Sequence, residues 1–150
     1  MMIYDKATLE HLKTSDLNQL YRTISQLKEN RGLLFILENL GHLPRAFDGS
    51  ILVPLVNHEN SQIRYWAVKN LGKLSDFQYS DLLFQAATND TDSLVRREAV
   101  SAIGRMRDSR AVSLLIQLLA DKDPKVVLQA IRGLLVFLKR SNPCQHTQTK

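Results

Sequence analysis

The sequence predicts an all-α fold of repeated helical hairpins, and three observations carry that prediction. The first is a segment that returns. "IRYWAVKNLGKL" from Ile63 aligns with "VRREAVSAIGRM" from Val95 and "VVLQAIRGLLVF" from Val126, at spacings of 32 and 31 residues. A diverged copy, "NLGHL" at residues 39–43, lies 31 residues before "NLGKL". The second observation is phase. Ile63, Ala67, Val68 and Leu71 recur as Val95, Ala99, Val100 and Ile103, then as Val126, Ala130, Ile131 and Leu134, a spacing that marks one face of a helix. The third is that each such helix follows another apolar-periodic stretch: Leu17, Leu20, Tyr21, Ile24 and Leu27; Ile51, Leu52, Leu55 and Val56; Leu82, Leu83, Ala86 and Ala87; Leu114, Leu115, Leu118 and Leu119. The unit is therefore a hairpin, and four of them are predicted in one domain over residues 1–140: about 16–43, 46–74, 79–107 and 109–138. A short helix around residues 5–13 precedes them, and a polar tail, 141–150, follows.

Local signals place the element ends. Ser50, Ser80 or Asp81, and Asp108 or Ser109 can accept from the orphan N–H groups that open the first helices. The turns "ENSQ", "DTDS" and "DKDP" separate paired helices, and Pro124 suits a first helical turn, where its missing donor costs little. Pro54 falls inside the first helix of the second hairpin and should bend or shorten it.

Composition narrows the function classes. The net charge is +5, and the excess lies late: residues 1–57 carry six basic and six acidic side chains, residues 58–150 fourteen and nine. That balance permits an acidic partner, nucleic acid included. No apolar run is long enough to span a bilayer, and the first residues lack the layout of a secretion signal, so a soluble cytoplasmic protein is expected. The one cysteine, Cys144, lies in the tail and can build neither a disulfide framework nor a thiolate metal site within this chain.

"DTDSLVRREAVSAIGRMRDSRAVSLLIQLLADKDPKVV" resembles HEAT repeats, in the short form typified by the phycobilisome-lyase family, with its D-x-V-R-x-x-A-x-x-A-L-G-x-L-x-D-x-R-A-V pattern. The match runs well over residues 46–138 and loosely over 16–43. The resemblance implies a right-handed α–α superhelix, a HEAT-like solenoid whose second helices line the concave surface, used as a scaffold in many settings. It also implies that Arg64 and Arg96 serve the hairpin turns, with Asn60, Asp90 and Asp92 as acceptors, and that Arg110 and Asp108 form a turn between repeats.

Positions 65, 69 and 73 point away from the apolar arc of their helix. Stacking the repeats gives a grid: Leu34, Tyr65, Arg97 and Leu128; Glu38, Lys69, Ser101 and Arg132; His42, Lys73, Arg105 and Val136. Trp66 stands at its edge. Tyr65, Trp66, Lys69, Lys73, Arg97, Arg105 and Arg132 are the candidate partner-binding residues. A protein segment would use the aromatics as anchors and pair its acids with the cations. Alternatively, a nucleic-acid backbone would be neutralised by the same cations. The last helix is apolar nearly all round, and Val127, Leu128, Leu135 and Val136 replace Arg96, Arg97, Gly104 and Arg105, which marks an end-face for self-association or another chain.

Catalysis finds no candidate constellation. His11, His42, His58 and His146 include no pair with helical metal-ligand spacing. Deoxyhypusine hydroxylases, enzymes of similar repeats, carry His-Glu dyads where this chain has Arg97-Glu98. No serine or cysteine has a recognisable base. The expectation is a non-catalytic adaptor or subunit without metal or cofactor, the lyase resemblance leaving open an accessory role in handling a bilin.

Overall fold

The computed structural model of the protein describes residues 5–141, so Cys144, His146 and nearly all of the predicted tail lie outside the described residues. Among the described residues every regular element is helical: α1 (Lys6–Ser15), α2 (Leu17–Gln26), α3 (Asn30–Glu38), a 3-10 helix (Gly49–Asn57), α4 (Ser61–Leu74), a 3-10 turn (Phe77–Tyr79), α5 (Ser80–Asn89), α6 (Ser93–Met106), α7 (Ala111–Gln117), a second 3-10 turn (Leu118–Ala120) and α8 (Pro124–Ser141). These are the four predicted hairpins and the predicted leading helix. The chain divides into two compact units after Leu74, with α1–α4 in the first and α5–α8 in the second.

In the first unit, α1 starts where the Asp5 carboxylate accepts from Ala7 N–H, and it buries Leu9 and Leu12. Lys13 is buried too. Its ammonium donates to the Leu40 carbonyl at 2.8 Å and pairs with Glu10 at 2.8 Å, so α1 is fastened to the end of the first hairpin. Pro54 acts more strongly than a bend: the whole of Gly49–Asn57 is a 3-10 helix, since proline has no N–H for an i→i−4 bond and crowds the carbonyl before it. Ile63, Ala67, Val68 and Leu71 of α4 are all buried as the repeat phase requires. So is Asn70, whose amide donates to the Leu37 carbonyl at 3.0 Å and to Trp66 O at 2.9 Å, joining α4 to α3. Asn39, one repeat earlier, likewise donates to Phe35 O at 2.8 Å.

In the second unit Val95, Ala99, Val100 and Ile103 of α6 are buried. α6 and α8 meet at glycines: a Cβ on Gly104 would stand 3.5 Å from Gly133 Cα. The last hairpin departs from the predicted core. Val126 and Ala130 are buried, but Ile131 and Leu119 are exposed, because nothing among the described residues lies over the face of α8 that corresponds to the glycine-bearing face of α6.

Two local expectations are corrected. Ser50, Ser80 and Asp81 do not open the first helices: Asp48 accepts from Ser50 N–H at the start of the Gly49–Asn57 3-10 helix, and Asp76 accepts from Gln78 N–H at the 3-10 turn Phe77–Tyr79 that leads into α5. Asp108, among the predicted caps, accepts from Arg110 N–H. A carboxylate carries full charge toward the positive end of the helix and needs no hydroxyl rotor to be set. Asp92 is likewise occupied as a cap, accepting from Leu94 N–H, and does not receive Arg96.

Candidate functional site

The arginines of the repeat divide into two groups by what they touch. Arg96 is only 3% exposed. It donates to the Asp90 carbonyl at 2.8 Å, within its own hairpin turn, and through Nε and Nη2 to both oxygens of Asp121, at 3.0 and 3.2 Å, in the next. Burial acts to raise the Asp121 carboxyl, but the Arg96 hydrogen bonds and the Asp123 N–H outweigh it, and the group lies below the usual carboxylate range. Arg64 donates to the carbonyls of His58 and Glu59 at 2.9 and 3.1 Å, while the Asn60 side chain caps α4. Arg110 folds back on Asp108, the shortest bond being Nη2 to Oδ2 at 2.7 Å, and those bonds hold Asp108 down at about 2. These three arginines bind turns together.

Among the described side chains, the other arginines of the second unit are not so engaged. Arg97, Arg107 and Arg132 have no hydrogen-bond or ion-pair partner among the described residues. Arg105 donates to Ser101 Oγ at 3.0 Å and meets Glu98 only at 3.4 Å. Three of them, Arg105, Arg107 and Arg132, line a groove of about 430 Å³ between α6 and α8. Ser101 and Gln129 add neutral polar groups, Val100 and Val136 an apolar floor, and no carboxylate belongs to the lining. The groove exists because Gly104 and Gly133 let the helices close on each other, so that longer side chains on either side stand up as walls. Arg107 ends α6 in the left-handed conformation, φ 60°, where a side chain other than glycine's is strained.

In the first unit the neighbouring aromatics meet each other. The Tyr65 and Trp66 rings are T-shaped at 5.4 Å and 84°, and the Lys69 ammonium stands 5.8 Å from the first centroid and 5.3 Å from the second. All three are half-buried. Lys73 is exposed, but its ammonium donates to Gly41 O at 2.9 Å. Of the predicted row, then, Tyr65, Trp66 and Lys69 form one cluster, Lys73 supports the end of α3, and Arg105 and Arg132 share a groove. Val127 is half-buried at the predicted end-face, while Leu128, Leu135 and Val136 are exposed.

Sequence reasoning missed Arg107, which it placed at the end of a hairpin and outside the grid. It missed Ile131 and Leu138 as exposed positions, although Leu128, Ile131, Leu135 and Leu138 already follow a 3-4-3 spacing in the chain.

Among the described residues no group of three or more His, Cys, Asp or Glu side chains could hold a metal ion, and no helix is long and apolar enough to cross a membrane. The profile of the family described as HEAT repeats matches residues 49–135. Phycocyanobilin lyase subunit alpha of Thermosynechococcus vestitus (strain NIES-2133 / IAM M-273 / BP-1) is 30% identical over 114 residues, which cover 75% of this chain and 40% of that protein. The chain thus spans well under half the length of the relative it matches. Its repeat phase, its turn arginines and the family profile over more than half its length agree: the chain belongs to the HEAT-repeat family, with repeats of the short phycobilisome-lyase type.

Proposed function

We propose that this chain is a non-catalytic interaction module and that it grips an acidic segment of a protein partner in the arginine groove between α6 and α8. One observation carries the reading: Arg105, Arg107 and Arg132 line one groove to which no carboxylate belongs, Arg107 and Arg132 having no partner among the described residues and Arg105 meeting Glu98 only at 3.4 Å. An arginine fork presents paired donors to a carboxylate, and the valine floor suits the methylenes of glutamate or a neighbouring aliphatic group. The Tyr65–Trp66–Lys69 cluster is the second candidate contact, on the first unit.

A fluorescein-labelled peptide of alternating glutamate and alanine, read by anisotropy, tests the proposal. Arg105→Glu/Arg132→Glu should weaken it by about tenfold or more, since removal of a charge at a partly desolvated contact is felt mainly in the off-rate. Tyr65→Ala/Trp66→Ala should change it less. Absence of peptide binding at low salt would sink the reading. Tighter, steeply salt-dependent binding of a DNA duplex would replace it with the nucleic-acid alternative.

A second reading, an accessory subunit of a bilin-handling lyase, is favoured by the similarity to phycocyanobilin lyase subunit alpha. The same arginines would then pair with the carboxylates of a bilin. An absorbance shift of free bilin on adding the protein, lost in Arg105→Glu/Arg132→Glu, is the outcome that distinguishes it.

A further inference from the structure

α8 has two apolar faces, and among the described residues only one is covered. Val126, Ala130 and Gly133 turn into the second unit. On the other side Leu128, Ile131, Leu135 and Leu138 are between 41 and 65% exposed, and Ile116 on α7 and Leu119 in the 3-10 turn after it are exposed as well. The four on α8 are spaced 3-4-3, the a and d positions of a heptad, so they form a straight seam along the helix. Val127 and Leu134 occupy one flank. The other flank, the e positions, is Lys125, Arg132 and Lys139, all exposed and seven residues apart. Arg132 and Lys139 have no partner among the described residues.

We infer that this face is a docking seam for an amphipathic helix of another polypeptide, aliphatic at its own a and d positions and acidic along the edge that meets Lys125, Arg132 and Lys139. Three observations select that occupant. First, charge: neither α7 nor α8 contains an acidic residue, so the cationic flank of a second copy would oppose like charges across the seam. Second, area: the six aliphatics expose on the order of 500 Å², at the upper end of what monomers leave open. Burying it on two copies gives about 1,000 Å², below the roughly 1,200 Å² where stable interfaces begin, whereas a helix laid in a groove binds usefully with less. Third, shape: Leu135 stands at the repeat position of Gly104, so nothing can approach α8 as closely as α8 approaches α6. An occupant has to interdigitate with the leucines as knobs rather than stack backbone on backbone. Residues 142–150, "NPCQHTQTK", contain no large apolar side chain to fill the seam themselves.

The seam is a separate surface from the groove, although Arg132 borders both, and its test leaves the groove intact. The probe is a labelled three-heptad peptide with leucine at a and d and glutamate at e and g, compared with the same peptide carrying lysine at e and g. The glutamate peptide should bind in the micromolar range and the lysine peptide at least about tenfold more weakly. Leu135→Glu should remove binding. Lys125→Glu/Lys139→Glu, which changes only exposed side chains, should reverse the preference. Arg105→Glu should leave the glutamate peptide within about threefold, so failure of the groove reading and failure of this one are told apart. Equal affinity for both peptides, or binding of neither, overturns the inference. A concentration-dependent dimer in light scattering, abolished by Leu135→Glu, overturns it in favour of a second copy.

Discussion

Arg107→Gly should make the protein more stable and the proposed groove weaker at once. Arg107 sits at φ 60° and ψ 32°, closing α6 in the left-handed region. For a residue with a Cβ that conformation costs about 1–2 kcal/mol, which glycine does not incur. Glycine gives back about 0.5–1 kcal/mol through the extra freedom of its unfolded chain. No hydrogen bond is lost, because the guanidinium has no partner among the described residues. The net expectation is a stabilisation of about 0.5–1 kcal/mol in urea denaturation, seen as a higher midpoint with an unchanged slope. The acidic peptide should lose about 0.3–1 kcal/mol, or roughly two- to fivefold in affinity, the range for one partly exposed charge pair. Ser75, with φ 50° one repeat earlier, is the control: Ser75→Gly relieves the same strain and should leave peptide affinity unchanged. If Arg107→Gly is destabilising, the arginine holds a contact that this account lacks. If stability rises and affinity does not fall, Arg107 is no part of a binding groove.

Three further outcomes follow from the same geometry. Arg96→Met should cost about 3–5 kcal/mol, because it strands the buried Asp121 carboxylate, whose side chain is 8% exposed; adding Asp121→Asn should recover at least about 1 kcal/mol, and strictly additive losses in chemical denaturation would contradict the pairing. Asp108, at about 2 in the folded protein against about 3.9 in an unfolded chain, stabilises fully above about pH 4 and loses that contribution as pH falls toward 2. Asp108→Asn should therefore lower stability at neutral pH and flatten the acid limb of a pH–stability curve; an unchanged limb refutes the assignment. Gly104→Ala meets only an ordinary contact, Gly133 Cα at 3.5 Å, and should stabilise by about 0.5–1 kcal/mol, whereas Gly133→Ala places its Cβ 3.1 Å from the buried Leu115 Cδ1 and should give less or cost stability. Equal thermal shifts for the two alanines would show that Leu115 does not crowd Gly133 as described.

The repeat made the fold readable because Ile63, Val95 and Val126 and their companions state the same packing three times, and hydrophobic phase depends only on a helix existing. Position within the stack is a different kind of fact. Ile131 carries the signature of Val68 and Val100, yet it is exposed, since burial at that position depends on what lies over the helix and not on the helix's own sequence. The partners of the turn arginine were likewise half visible: the Asp90 carbonyl belongs to the same hairpin, but Asp121 lies 25 residues away, and nothing local says that it, rather than Asp92, receives Arg96. Asn70 was illegible for a similar reason. A buried amide is tolerable only when acceptors wait for it, and the Leu37 carbonyl is supplied by another helix.

The pairing of Tyr65 with Trp66 shows how a hot-spot composition differs from an available hot spot. Side chains one residue apart on a helix diverge by about 100°, so both rings can turn outward only if each rests on something. Here they rest on each other, edge to face, and Lys69, one turn on, lays its ammonium toward both rings. That arrangement shields aromatic surface and occupies the cation, so a partner arriving at this cluster has first to displace Lys69 from two rings. Of the groove arginines only Arg105 has contacts to give up, a hydrogen bond to Ser101 Oγ and the long contact with Glu98, while Arg107 and Arg132 have no partner among the described residues. A charged group without a partner loses only its hydration when a carboxylate arrives, whereas one already in use loses its contact as well. The proposed order of engagement follows from this difference: the acidic segment is taken by the second unit, and the aromatic cluster of the first contributes only where a partner supplies enough contact to open it.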